Sequence, residues 1–217
     1  MSRIGKVVTW AVLAAAMIVP IAIAATSPYL AYRGPAYLVG GFAGIICLSL
    51  LLIQPLLAAG YLPGAPPTTE RRWHHRVGWA IITCVVLHVG GLYLTSPPDT
   101  LDALLLVAPT PFSVYGVLAM WGVLLTGVLV ALRRRIGLHY SSWRIVHNAL
   151  ALVVVVATVI HAIQIEGAMG MLSKSLLCIA VLGATMATLF DLRIIRPLLF
   201  RRGRSSQPVR DLASSED

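Results

Sequence analysis

The sequence predicts an all-α membrane protein, a bundle of six transmembrane helices with both termini on the inner side. Three observations carry this. Apolar residues make up 58% of the 217 and charged residues 12%, about half the charged share of a soluble domain. Mean hydropathy is +0.85. The apolar residues gather into six stretches of about 20, the length a helix needs to cross a bilayer. Such a composition excludes a disordered chain and an ordinary soluble domain. The net charge of +9 therefore concerns membrane sidedness, not nucleic acid.

The six spans run over about residues 7–25, 36–60, 77–95, 112–132, 145–165 and 171–192. Turn chemistry separates them: Ser27-Pro28, Gly34-Pro35, Leu62-Pro63-Gly64-Ala65-Pro66-Pro67, Ser96-Pro97-Pro98 and Pro109-Thr110-Pro111. The first span admits a rival reading. Arg3 and Lys6 precede an apolar run ending near Ala22-Ile23-Ala24, which fits a cleaved signal peptide. The run is long for that, so a retained helix is expected. Residues 101–107 are apolar but too short to span, and are expected to lie at the interface. Residues 1–200 are read as one membrane domain and 201–217 as a polar cytoplasmic tail, expected to be disordered. Cys47, Cys84 and Cys178 stand far apart in apolar runs, with neither disulfide nor zinc-site spacing, and read as buried small residues.

Orientation follows from the basic residues. With the N-terminus inside, the inner segments hold Arg3 and Lys6; Arg71, Arg72 and Arg76; Arg133, Arg134, Arg135 and Arg144; and Arg193, Arg196, Arg201, Arg202, Arg204 and Arg210. Only Arg33 and Lys174 fall outside. This asymmetry predicts both termini in the cytoplasm and the cytoplasmic (inner) membrane as the location.

Histidine within a span is a functional-site hypothesis by default. His88 lies deep in the third span and His161 deep in the fifth, while His74, His75 and His147 sit at the inner ends of the same spans. His74 precedes His88 by 14 residues, and His147 precedes His161 by 14. On a helix this spacing falls roughly 40° short of four turns and covers about 21 Å, so each pair shares a face at two depths. His75 stands about 140° from His88, which favours His74, although a bent helix start reverses that preference. Spans three and five run in the same direction. His74 and His147 therefore share an inner level, and His88 and His161 an outer one. Two facing histidines at each of two depths is what two stacked b-type haems require, each iron taking one imidazole from each helix. Four ligands split between levels about 21 Å apart cannot converge on one zinc.

Gly78 and Ala151, one turn beyond the inner histidines, leave room for a flat macrocycle, and Gly90 and Gly91 do the same near His88. Arg72, Arg76 and Arg144, with Arg71, flank the inner histidines and suit haem propionates. The plainer readings are that buried histidines hydrogen-bond between helices, that small residues are common in any bundle, and that topology alone explains the arginines. His75 and His139 are read as interfacial. Glu166 and Asp191 sit at span ends, where interfacial solvation explains them.

The run Arg72-Trp73-His74-His75-Arg76-Val77-Gly78-Trp79 leading to His88 resembles the third span of ferric-reductase-like transmembrane domains. Arg133-Arg134-Arg135-Ile136-Gly137, then Trp143-Arg144-Ile145-Val146-His147-Asn148-Ala149-Leu150 leading to His161, resembles the fifth. That family includes NADPH oxidases, ferric and cupric reductases, and the short bacterial haem subunit of the periplasmic methionine sulfoxide reductase system. The resemblance implies bis-histidine haem ligation between spans three and five. The flavin and nicotinamide domains of the oxidases do not follow the sixth span here, so a separate reductase is expected. His74 makes the chain more like the two-haem members than like the short bacterial subunit. Leu92 stands where the oxidases carry a further histidine, which sets it apart from their oxygen site.

The expected function is electron transfer across the membrane. A cytoplasmic flavoprotein or quinol is the donor, and ferric iron, oxygen or a periplasmic redox protein is the outer-face acceptor. Haem b is the expected cofactor, two per chain and one at minimum, with flavin on a partner or at the cytoplasmic loops. The basic loops 71–76 and 133–144 offer a docking surface for an acidic flavin domain, with positive-inside topology as their simpler explanation. Asp99 and Asp102 make the outer loop net negative. Two other classes compete. One is a quinol-linked cytochrome of the b561 type, whose ligands are spread over different helices. The other is a non-redox scaffold or transporter with structural histidines, in which Pro20 and Pro55 supply kinks.

Overall fold

A computed structural model describes residues 2–137 and 139–199. The tail expected at 201–217 lies outside these residues. The described chain forms seven α-helices and no strand: α1 Arg3–Ala25, α2 Pro35–Ala59, α3 Pro67–Thr95, α4 Pro97–Leu104, α5 Pro111–Ile136, α6 Tyr140–Gln164 and α7 Met171–Phe190. All but α4 are long and apolar enough to cross a membrane. The chain is thus a multi-pass membrane protein.

The helix ends follow local chemistry. Proline opens α2, α3, α4 and α5, where its fixed φ is already helical and its missing N–H is no loss. Ser2 caps α1, its hydroxyl accepting from the Gly5 N–H at 3.1 Å. Gly60 and Gly137 close α2 and α5 at φ 73° and 63°, the left-handed region that a side chain disfavours. Helix α3 starts ten residues before the apolar span at residue 77 and so carries His74 and His75 within it.

The outer-loop segment is helix α4 plus a short exit. Leu101, Leu105, Leu106 and Val107 are exposed, while Thr100 is buried. That split places one side against the bundle and leaves an apolar side for the interface.

The core is built mainly on α2 and α7, with Leu48, Leu51, Leu52, Leu57, Leu177, Cys178 and Val181 buried together. Helix α1 belongs to the bundle: its Ala24 is wholly buried, and Trp10 donates to the Pro63 carbonyl at 3.2 Å. The closest helix pairs are the hairpins α2–α3 and α5–α6. Helices α3 and α6 share almost no backbone contact. The histidine-bearing helices therefore face each other across a gap, each backed by its own hairpin partner.

Most of the basic residues outside the tail gather at one end, called here the basic end. There the helix ends are tied by side chains. A π-helical turn, Asp191–Ile195, follows α7. Arg196 pairs with Asp191 at 2.9 Å and donates to the Ala59 carbonyl of α2 at 2.7 Å. Tyr61 donates to the same carboxylate at 2.7 Å, and Arg193 donates to the Arg144 carbonyl of α6 at 2.8 Å. Asp191 is thus a partnered group, where solvation at the interface was expected. Glu70 was not anticipated at all. It is 4% exposed and accepts from the Leu62 N–H at 3.1 Å, holding the α2–α3 turn.

Candidate functional site

The four histidines meet as two pairs. The ring centres of His74 and His147 are 6.3 Å apart at the basic end. Those of His88 and His161 are also 6.3 Å apart, towards the far end. His75 is exposed, and His139 is exposed at the start of α6. Among the described residues no three His, Cys, Asp or Glu side chains form a metal cluster; the histidines meet only two by two.

Each pairing starts from how a neighbouring helix holds the ring. Nδ1 of His88 donates to the Gly40 carbonyl at 2.7 Å. Nδ1 of His161 donates to Phe112 at 2.8 Å, and Nδ1 of His74 to Gln54 at 3.2 Å. A carbonyl only accepts, so each of these Nδ1 atoms carries the proton and each Nε2 keeps its lone pair. This is how a metal-binding imidazole is usually oriented.

The residue four positions after each carbonyl decides how closely a ring approaches. A helical carbonyl points towards residue i+4, so a ring reaching it passes over that residue. After Gly40 this is Gly44, where a Cβ would lie 2.9 Å from His88 Nδ1. After Phe112 it is Gly116, where a Cβ would lie 2.7 Å from His161 Cε1. After Gln54 it is Ala58, and the bond lengthens to 3.2 Å. The fourth ring, that of His147, is not held in this way. Its Nδ1 is buried with no partner among the described residues. Sequence reasoning missed Gly44 and Gly116. Their signal was a glycine four residues after a position whose carbonyl faces a histidine, and only the pairing of helices reveals such a position.

The small residues expected near the rings divide differently. Gly78 faces α2, where a Cβ would stand 3.3 Å from Gln54 Nε2. Gly91 permits the close crossing of α2 and α3, its Cβ direction ending 2.6 Å from the Ala36 carbonyl oxygen. Gly90 faces open space, and Ala151 is half-buried. Arg72, Arg76 and Arg144 are exposed at the basic end. Arg133 instead lies over Trp143, 4.4 Å from its ring centre, and Trp143 stacks on His147 at 5.2 Å and 18°.

A cavity of about 830 Å³ opens between the hairpins at the far end, lined by His88, His161, Gly44 and Gly116. That lies within the range of about 300–1,000 Å³ of ligand sites. Arg33 and Lys174, the two basic residues the sequence left outside, both line it. So do Asp99, Asp102 and Glu166. Lys174 is 6% exposed and donates to the carbonyls of Ile163, at 3.5 Å, and Ile165, at the end of α6.

These residues fit a haem. A metal held between two imidazole nitrogens at about 2.0 Å each would set the ring centres about 6 Å apart. Both pairs have that separation. The gap between α3 and α6, the free Nε2 atoms and the glycine-lined cavity suit a flat, mostly apolar group.

Comparison with known proteins assigns this architecture to a family of transmembrane components and suggests a membrane electron-transfer role. The family model described as ferric reductase like transmembrane component matches residues 40–158, more than half of the chain, and the protein belongs to that family. The match takes in Gly40, His74, His88 and His147; His161 lies just past it. No curated protein and no solved structure matches the chain.

Proposed function

We propose that this protein is a b-type haem membrane subunit that carries electrons from the cytoplasmic face to the outer face of the inner membrane. The observation that carries the reading is the pair of histidine pairs, each 6.3 Å between ring centres, on two helices that leave a gap between them. In this reading His74 and His147 hold one haem and His88 and His161 a second, within one haem domain spanning residues 1–200. Haem b supplies one-electron carriage between ferric and ferrous iron. The chain's own residues do the rest. Gly40, Phe112 and Gln54 hold three imidazoles with Nε2 free. Apolar residues such as Leu48, Leu51 and Val123 line much of the far-end cavity. Arg33 and Lys174 offer positive charge to carboxylates in the far-end cavity.

The basic end is assigned to the cytoplasm because the arginines gather there. Electrons enter at that end from a cytoplasmic flavoprotein or a membrane quinol, with any flavin held by that partner or at the basic loops. They leave at the far end to ferric iron, oxygen or a periplasmic redox protein.

The test is the reduced-minus-oxidised spectrum and haem content of the purified chain. His88→Ala and His161→Ala are each expected to lose the far-end haem, and His74→Ala the basic-end haem. His75→Ala is expected to match the wild type. Unchanged haem content in both His88→Ala and His161→Ala would sink the assignment.

A further inference from the structure

We propose that Trp143 is a positioning residue of the basic-end site: its ring sets the plane of His147, and its indole N–H donates to a carboxylate of the group held between His74 and His147. The proposal rests on the bis-histidine reading above.

Three of the four histidines are oriented by a backbone carbonyl of the neighbouring helix. The exception is His147. Its Nδ1 is buried and has no partner among the described residues. Helix α5 reaches His147 by another route. Its Arg133 lies over Trp143, 4.4 Å from the ring centre. Trp143, one turn before His147 on α6, stacks on the imidazole at 5.2 Å, and Tyr140 stacks on Trp143 at 6.0 Å. A side-chain stack replaces the carbonyl.

A second observation concerns polar atoms. Among the described residues three buried side-chain atoms have no hydrogen-bond partner: Gln54 Oε1, Trp143 Nε1 and His147 Nδ1. All three belong to residues at the basic-end pair. Gln54 donates to the His74 carbonyl at 3.2 Å, and Trp143 packs on His147. Buried donors are seldom left unpaired. An orphan indole N–H beside a guanidinium calls for an acceptor of negative charge. The side-chain carboxylates of haem are acceptors of that class.

The experiment uses the whole chain in lipid nanodiscs, loaded with haem b, as wild type, Trp143→Phe, Trp143→Leu and His147→Ala. Haem per protein, low-spin electron paramagnetic resonance and midpoint potentials are read for each. Trp143→Phe keeps an aromatic stack and loses the N–H. It is expected to bind the basic-end haem about tenfold more weakly. The midpoint of that haem alone is expected to fall, because a carboxylate stripped of a donor favours the oxidised iron. Trp143→Leu removes the stack as well and is expected to lose the basic-end haem, as His147→Ala does, with the far-end signal unchanged. Should the Leu variant lose both haems by misfolding, the Phe variant decides. Wild-type affinity and potential in Trp143→Phe, beside a normal two-haem wild type, overturn this proposal alone. A wild-type chain that takes up no haem overturns the functional reading and this proposal with it.

Discussion

Nδ1 of His88 on α3 donates to the carbonyl oxygen of Gly40 on α2 at 2.7 Å, and Gly44, one turn further along α2, lies beneath the ring. That single relationship fixes the tautomer, the ring plane and the side from which Nε2 is open. It recurs on the other hairpin, where Phe112 supplies the carbonyl and Gly116 the space. A carbonyl with a glycine four residues later is thus the unit that holds each far-end histidine.

The glycines of that unit are the first target. A methyl group at Gly44 or Gly116 must push a ring away from its carbonyl, and overpacking of this kind costs about 1–3 kcal/mol. Gly90→Ala is the control, since nothing lies within 4 Å of its Cβ position; it is expected to be neutral or to stabilise by about 0.5–1 kcal/mol. Thermal unfolding and haem content of Gly44→Ala and Gly116→Ala should both fall relative to this control. Equal behaviour of all three variants rules out the cradle.

Lys174 offers a second test. Its ammonium is buried against the last carbonyls of α6, where a cation also complements the helix dipole. Lys174→Met keeps most of the stem and removes the donor. It is expected to destabilise the protein by about 1–3 kcal/mol, read as a lower Tm. An unchanged Tm means that the ammonium serves only the cavity.

The third prediction concerns the Tyr61–Asp191–Arg196 cluster. Asp191→Asn removes the charge that Arg196 and Tyr61 share. In so exposed a setting the loss is about 1 kcal/mol or less. Burial and then the hydrogen bond to Asp191 push the Tyr61 phenol above its usual value. The contribution of Tyr61 is therefore fully present below the unfolded-state value of about 10 and is lost as pH rises through the folded-state value. The Tm difference between wild type and Tyr61→Phe should stay constant from about pH 6 to 9 and shrink only above about 10. A difference that already shrinks below about pH 9 would overturn this account.

The division between sequence and tertiary structure is visible in particular residues. The spans are legible because lipid demands a long apolar run whatever its neighbours. Pro35, Pro67, Pro97 and Pro111 are legible as helix starts because a missing N–H and a fixed φ are local properties. The matched spacing of His74 with His88 and of His147 with His161 is legible because periodicity belongs to a single helix.

The tertiary structure alone decided what meets those helices from outside. Hydropathy carries no register between helices, so it reveals neither which carbonyl faces a ring nor that Gly44 and Gly116 must lack side chains. Arg33 and Lys174 stand far apart in the chain, as isolated cations on the outer segments, and come to one cavity only when α2 and α7 are placed. Glu70 reads as one more charge in a basic stretch until the turn at Leu62 folds over it. Trp143 is one residue of a run resembling the fifth span of the family until its stack on His147 is seen. Composition and periodicity determined which helices form and which faces carry histidine. Packing determined how each histidine is held, because an orienting hydrogen bond joins two helices and neither helix encodes it alone.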